Sequence, residues 1–97
     1  MNQITMSELS NILDQCTGKN ILISTTAGQF KFSSYGNVEH VDTYTDRVVV
    51  ELDITSRIDL HEEDIKSITY NEELSRNNTQ TIVVELSGQT IKFEFEV

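Results

Sequence analysis

Ninety-seven residues with 16 Asp and Glu against seven Lys and Arg, a formal charge of −9, suffice for one hydrophobic core but leave little room for a large buried cavity. The acid excess opposes direct binding to nucleic-acid phosphates and to anionic membrane surfaces, since both draw their affinity from cations. Hydrophobic residues at 37%, set in periodic patterns, exclude a disordered acidic tail.

The opening "MNQITMSELS" has neither the basic n-region of a signal peptide nor an apolar run long enough to span a bilayer, so a cytoplasmic protein is expected, in the host cytoplasm if a phage encodes it. The lone Cys16 can form no intramolecular disulfide, and the "NNT" sequon at 77–79 matters only in a secreted chain. A helix is predicted over about 5–17. Thr5 can cap it, Glu8 stands at the capping-box position, and Ile4 can staple against Leu9. Met6, Leu9, Ile12, Leu13 and Cys16 then share one side at helical spacing, with Gly18 placed to end the turn.

Beyond Gly18 the period changes to two and β-branched and aromatic residues take over. Strands are predicted near 20–26, 29–35, 38–44, 47–54, 57–60, 65–72, 79–86 and 89–97. In the last, Ile91, Phe93, Phe95 and Val97 alternate with Lys92, Glu94 and Glu96, which gives one dry and one wet face. "RVVVEL" and "TIVVEL" are apolar on consecutive residues and predict central strands covered on both faces. Gly28 and Gly88 sit where two-residue hairpin loops need a positive φ, while "YTDR" and "SRNN" supply polar turn residues. Proline is absent, so edge strands would be guarded by charge, a task suited to the alternating Glu and Lys of 89–97. The sum is a single domain over 1–97, α+β but mainly β: a short N-terminal helix, then a strongly bent antiparallel sheet or small half-open barrel closed by a C-terminal hairpin.

Two segments, "VDTYTDRVVVEL" and "IDLHEEDIKSITY", resemble the Sm-like family over residues 5–72. The first is similar to that family's Asp-containing motif leading into an apolar strand, the second to its closing strand pair. The resemblance implies an N-terminal helix with five strands and an oligomerising assembly module, in which edge strands such as 47–54 or 89–97 would build a homodimer or ring. Asp46 stands where that family usually has Asn, and no RNA-contacting position carries over.

His61, Glu62, Glu63 and Asp64 could in principle meet a divalent metal, but adjacent side chains of a tight turn diverge instead of converging on one point. His40 has no nucleophile motif beside it, Cys16 lies on the apolar side of the helix, and no serine stands in a G-x-S-x-G elbow. The expectation is a protein without catalytic residues, metal or cofactor, and hence no enzyme.

The charge pattern remains. From Glu51 to Glu73 eight carboxylates stand against Arg57 and Lys66, 2 − 8 = −6. Paired strands about 4.8 Å apart could set such groups in rows that imitate a phosphate backbone. Asp59, Glu62, Glu63, Asp64, Glu72 and Glu73 are the candidate partner-binding acids. Tyr44 and Tyr70 are candidate anchors, with Tyr35 as a third. In general build the chain resembles the small acidic inhibitors of phages and mobile elements, including anti-CRISPR proteins. That resemblance implies a basic protein partner, such as the nucleic-acid groove of a CRISPR effector or another nucleic-acid enzyme, with no direct nucleic-acid or membrane contact.

Overall fold

The computed structural model describes residues 2–53, 56–71 and 79–96. A two-residue strand β1 (Asn2–Gln3) precedes helix α1 (Met6–Gln15). Strands β2 (Asn20–Ala27), β3 (Phe30–Thr43), β4 (Arg47–Leu52) and β5 (Arg57–His61) follow. One 3-10 turn (Glu62–Asp64) leads into β6 (Ile65–Asn71), β7 (Thr79–Leu86) and β8 (Gln89–Glu96). The parts of the predictions that fall on residues 54, 72–78 and 97, including the "SRNN" turn and the candidates Glu72 and Glu73, lie outside the described residues.

Helix α1 starts as its sequence dictates. Thr5 Oγ1 accepts from the Glu8 amide and Glu8 Oε1 accepts from the Thr5 amide, both at 3.1 Å, which satisfies two donors that a helix N-terminus would otherwise leave open. Leu9, Leu13 and Cys16 are buried, with Met6 and Ile12 half-buried beside them. Ser10 is also buried, and its hydroxyl bonds Thr43 Oγ1 at the end of β3, which removes the penalty of a polar group inside.

The eight strands form one sheet in the order β1-β6-β7-β8-β2-β3-β4-β5, with every neighbouring pair antiparallel. That order has a consequence for shape. From β6 to β5 there are six inter-strand steps, about 29 Å across a flat sheet at 4.8 Å per step. Yet the two strands are joined by only three residues, Glu62–Asp64, which reach about 14 Å fully stretched. The sheet must therefore curl back on itself, and it forms a half-barrel.

The core fills the concave side: Ile21 and Ile23, Val38, Val48 and Val50, Leu60, Ile68, Ile82 and Val84, Ile91, Phe93 and Phe95, with the buried face of α1 over β3 and β4. Phe93 is wholly buried, in register with Ile23 on one side and Ile82 on the other. Val49 is buried as well but on the convex side, between Asp42 and Asp59 in register, so "RVVVEL" is a central strand with buried residues on both faces.

Three strand expectations need correction. Residues 29–35 and 38–44 are one 14-residue strand, β3. Gly36 and Asn37 keep their pairing with Ile21 and Asn20, and Gly36 is buried against the Leu52 side chain, which a Cβ there would meet at van der Waals distance, 3.4 Å. The bend comes slightly later, at a bulge between Val38 and His40, where an extra residue turns the strand from one half of the sheet to the other. Strands 47–54 and 89–97 are not edges: β4 lies between β3 and β5, and β8 between β7 and β2. Finally β1, unmarked in the sequence, pairs with Thr69 and Tyr70 of β6. The hairpin glycines behave as expected, with φ of 60° at Gly28 and 76° at Gly88.

Candidate functional site

The β3–β4 turn and the 3-10 turn after β5 meet at one corner of the half-barrel, where the Glu62 amide donates to the Asp46 carbonyl at 2.8 Å. Strand pairing sets this meeting: Arg47, first residue of β4, is in register with His61, last residue of β5, so the turns that follow are neighbours. Asp46, His61, Glu62 and Glu63 line a shallow recess of about 250 Å³ there. Glu62 also borders a second recess, of about 270 Å³, shared with Thr5, Met6, Ser7, Tyr44 and Arg47.

The predicted acids divide sharply at this corner. Asp59, on the convex face of β5, is held by the protein's own side chains: Arg47 Nη1 at 3.4 Å, Arg57 Nη2 at 3.5 Å and His61 Nε2 at 3.3 Å. Register explains the cluster, because Arg47–His61, Val49–Asp59 and Glu51–Arg57 are cross-strand pairs and alternate residues share a face. Asp59 is thus internally compensated. Glu62, Glu63 and Asp64 are exposed on their 3-10 turn, and no ion pair among the described residues engages them or Asp46.

Tyr44 belongs to this corner and Tyr70 does not. Tyr44 is half-exposed, its ring lies 4.6 Å from the Arg47 guanidinium carbon, and its amide donates to the Arg47 carbonyl at 2.9 Å. Arg47 therefore bridges Tyr44 to Asp59, stacked on one and paired to the other. Tyr70 points inward from β6 against the core, and its hydroxyl donates to Gln80 Oε1. It packs against the core with its polar tip satisfied. Tyr35 is the most exposed large apolar residue of the described chain, but it stands on β3 far from the corner, beside Leu22 and Glu94.

Among the described residues, the acids gathered at this corner without an ion pair are Asp46, Glu62, Glu63 and Asp64, with Tyr44 and Arg47 beside them. Sequence reasoning missed Arg47 and His61 as the partners of Asp59. The signal was present as the even spacing of Arg57, Asp59 and His61 along one strand, but their pairing with β4 required the register. His40 bonds Asp42 at 2.7 Å, two residues along the same strand. Among the described residues no group of three or more His, Cys, Asp and Glu is placed to hold a metal. Cys16, beneath the helix, has its thiol pushed above the usual range by burial, an effect that Lys19 partly opposes. No helix among the described residues is long and apolar enough to cross a membrane.

No protein-family model and no curated protein matches the chain. Among solved structures it is similar to the crystal structure of the YojF protein of Bacillus subtilis, with a TM-score of 0.54 and 14% sequence identity over 99% of this chain and 97% of that one. At that identity the likeness establishes a shared fold across the whole length of both chains.

Proposed function

We propose that this protein is a binding domain without chemistry of its own, whose acidic corner docks on a basic surface of another protein. The observation that carries the reading is the contrast between neighbouring carboxylates. Two arginines and His61 hold Asp59, whereas Glu62, Glu63 and Asp64 project from their 3-10 turn with no ion pair among the described residues. The β3–β4 turn, bonded to Glu62, keeps that acid cluster in place before any partner arrives. Preorganised charge of this kind speeds encounter and selects against acidic surfaces, while Tyr44 offers an aromatic contact at the rim. The more specific form of the proposal is inhibition: a basic nucleic-acid groove, as in a CRISPR effector or another nucleic-acid enzyme, is occupied by the corner in place of phosphates.

The test compares two triple charge reversals of equal net effect. Glu62→Lys, Glu63→Lys and Asp64→Lys alter the corner, whereas Asp14→Lys, Glu85→Lys and Glu96→Lys alter exposed positions elsewhere. Partners captured from a host lysate at low and high salt are compared, and association rates are then measured on the purified pair. The corner variant is expected to slow association about tenfold or more and to flatten its salt dependence, the control to change it far less. Equal retention by both variants would sink the proposal.

A further inference from the structure

Strand β3 has two neighbours for only part of its length. Val38 to Thr43 pair with β4, and Val38 also bonds Gly18 and Lys19 on its other side, but residues 30–36 pair with β2 on one side and, among the described residues, with no strand on the other. The six residues from Phe30 to Tyr35 are all exposed. They include three of the four exposed large apolar side chains, Phe30 at 64%, Phe32 at 57% and Tyr35 at 70%. An open edge with bulky apolar residues, no proline and Lys31 as its one charge is a template for strand addition.

The direction of its free hydrogen-bonding groups follows from Asn37. The Asp53 amide donates to the Asn37 carbonyl at 2.9 Å and the Asn37 amide donates to Asp53 Oδ1 at 3.1 Å, so residue 37 aims its backbone away from β2. Alternation along an antiparallel strand then aims residues 35, 33 and 31 the same way. The Ser34 hydroxyl touches the Tyr35 carbonyl at 3.3 Å, an exposed contact that an incoming amide can replace.

We infer that β3 pairs through residues 30–36 with the same strand of a second copy, antiparallel about a two-fold axis at Ser33, joining two half-barrels into one continuous sheet. Three features select a second copy. First, Lys31, Ser33 and Tyr35 are symmetric about Ser33, so a two-fold axis there pairs Ser33 with Ser33 and Lys31 with Tyr35 in both directions. Every free amide and carbonyl finds a partner, as a self-complementary interface requires. Second, the charges agree. In a chain of −9, residues 27–38 contain no acid and only Lys31 as a charge, so this edge is where two copies repel least. The register also sets each Lys31 beside a Tyr35 ring and about 13 Å along the strand from the other lysine. Third, on the concave face Phe32 falls opposite Ser34 and Phe30 opposite Gly36, which makes the two Phe32 rings diagonal neighbours and sets each Phe30 beside the glycine of the other copy.

The experiment is sedimentation over a wide concentration range, joined to site-directed disulfides. The wild type is expected to approach twice the monomer mass as concentration rises. Ser33→Pro, which removes an amide that β2 does not use, and Phe32→Glu should each weaken the dimer at least about tenfold, or 1.4 kcal/mol. Residues facing each other in a hydrogen-bonded antiparallel pair have Cα atoms about 5.5 Å apart, within disulfide reach. Ser33→Cys should therefore oxidise to a covalent dimer at least about tenfold faster than Asp14→Cys on the exposed helix face. Mixing Lys31→Cys with Tyr35→Cys should give the heterodimer in preference to either homodimer. A monomer at every concentration, with Ser33→Cys no faster than Asp14→Cys, would overturn the inference and leave the edge to an extended segment of another protein. A dimer indifferent to Ser33→Pro and Phe32→Glu would overturn it equally, by placing the contact elsewhere.

Discussion

Asp59 and Glu62 are three residues apart, and both read as surface carboxylates in the sequence. Their surroundings differ because β5 is paired with a strand that delivers Arg47, whereas the acids of the 3-10 turn that follows meet no ion-pair partner among the described residues. Ion pairs as exposed as those of Asp59 are worth about 0–1 kcal/mol each, so the cluster orients side chains more than it stabilises the fold. Cys16 shows the opposite situation, a titratable group inside. Burial raises its thiol pKa, so above about pH 8.5 the unfolded chain loses that proton while the folded chain keeps it. With fewer protons on the unfolded state, stability falls as pH rises, and the contribution is undiminished below that range. Wild type should accordingly lose more stability between about pH 8 and 9.5 than Cys16→Ala, measured by urea denaturation at each pH. Native Cys16 should also react with iodoacetamide at least about tenfold slower than in denaturant. Equal slopes for the two proteins would show that burial does not govern this thiol. The apolar side of the helix, and Cys16 on it, was legible because helical spacing is a local property. Buried Ser10 was not, since its partner Thr43 is 33 positions away.

At the level of elements, α1 has ten residues, a length at which an isolated helix is marginal in water. It depends on its cap and on the core. Removing the cap by Thr5→Ala should lower the unfolding free energy by about 1 kcal/mol, with Thr5→Ser close to wild type, as read from urea midpoints at constant slope. If Thr5→Ala matched wild type, the reciprocal bonds between Thr5 and Glu8 would contribute nothing to folding. The two hairpins were equally legible, because a two-residue loop imposes its glycine locally. Strand β3 was not. Gly36 and Asn37 carry the composition of a turn, and only the pairing of both with β2, together with Leu52 packed against Gly36, keeps the chain extended through them. The bulge after Val38, which performs the bend, has no local mark.

For the whole molecule, the net charge of −9 acts on a half-barrel small enough for its acids to lie within a few Debye lengths of one another. Self-repulsion then works against the folded state. Raising sodium chloride from about 20 mM to about 300 mM should increase the melting temperature, by roughly 4–8 °C for each kcal/mol of repulsion relieved. The few exposed ion pairs lose strength under the same change, but the acid excess outweighs them. A melting temperature that fell with salt would mean that the attractive pairs dominate. The curl of the sheet also settles which surfaces exist. It places β4 and β8 inside the sheet, which removes the edges expected from the sequence, and it leaves the first half of β3 without a second strand among the described residues, where no edge was foreseen.

Periodicity, capping and turn residues determine the kinds of element and most of their limits, because each of those signals acts over a few bonds. The excess of acid is likewise visible at once. Strand order is another matter: β7 and β8 were evident as a hairpin, but their place between β6 and β2 depends on which register buries Phe93, Ile82 and Ile23 together. Only the tertiary structure could decide which carboxylates are compensated and which strand edge is open. Both depend on partners brought together by long-range pairing, and a sheet closes on such partners through the burial of a shared core.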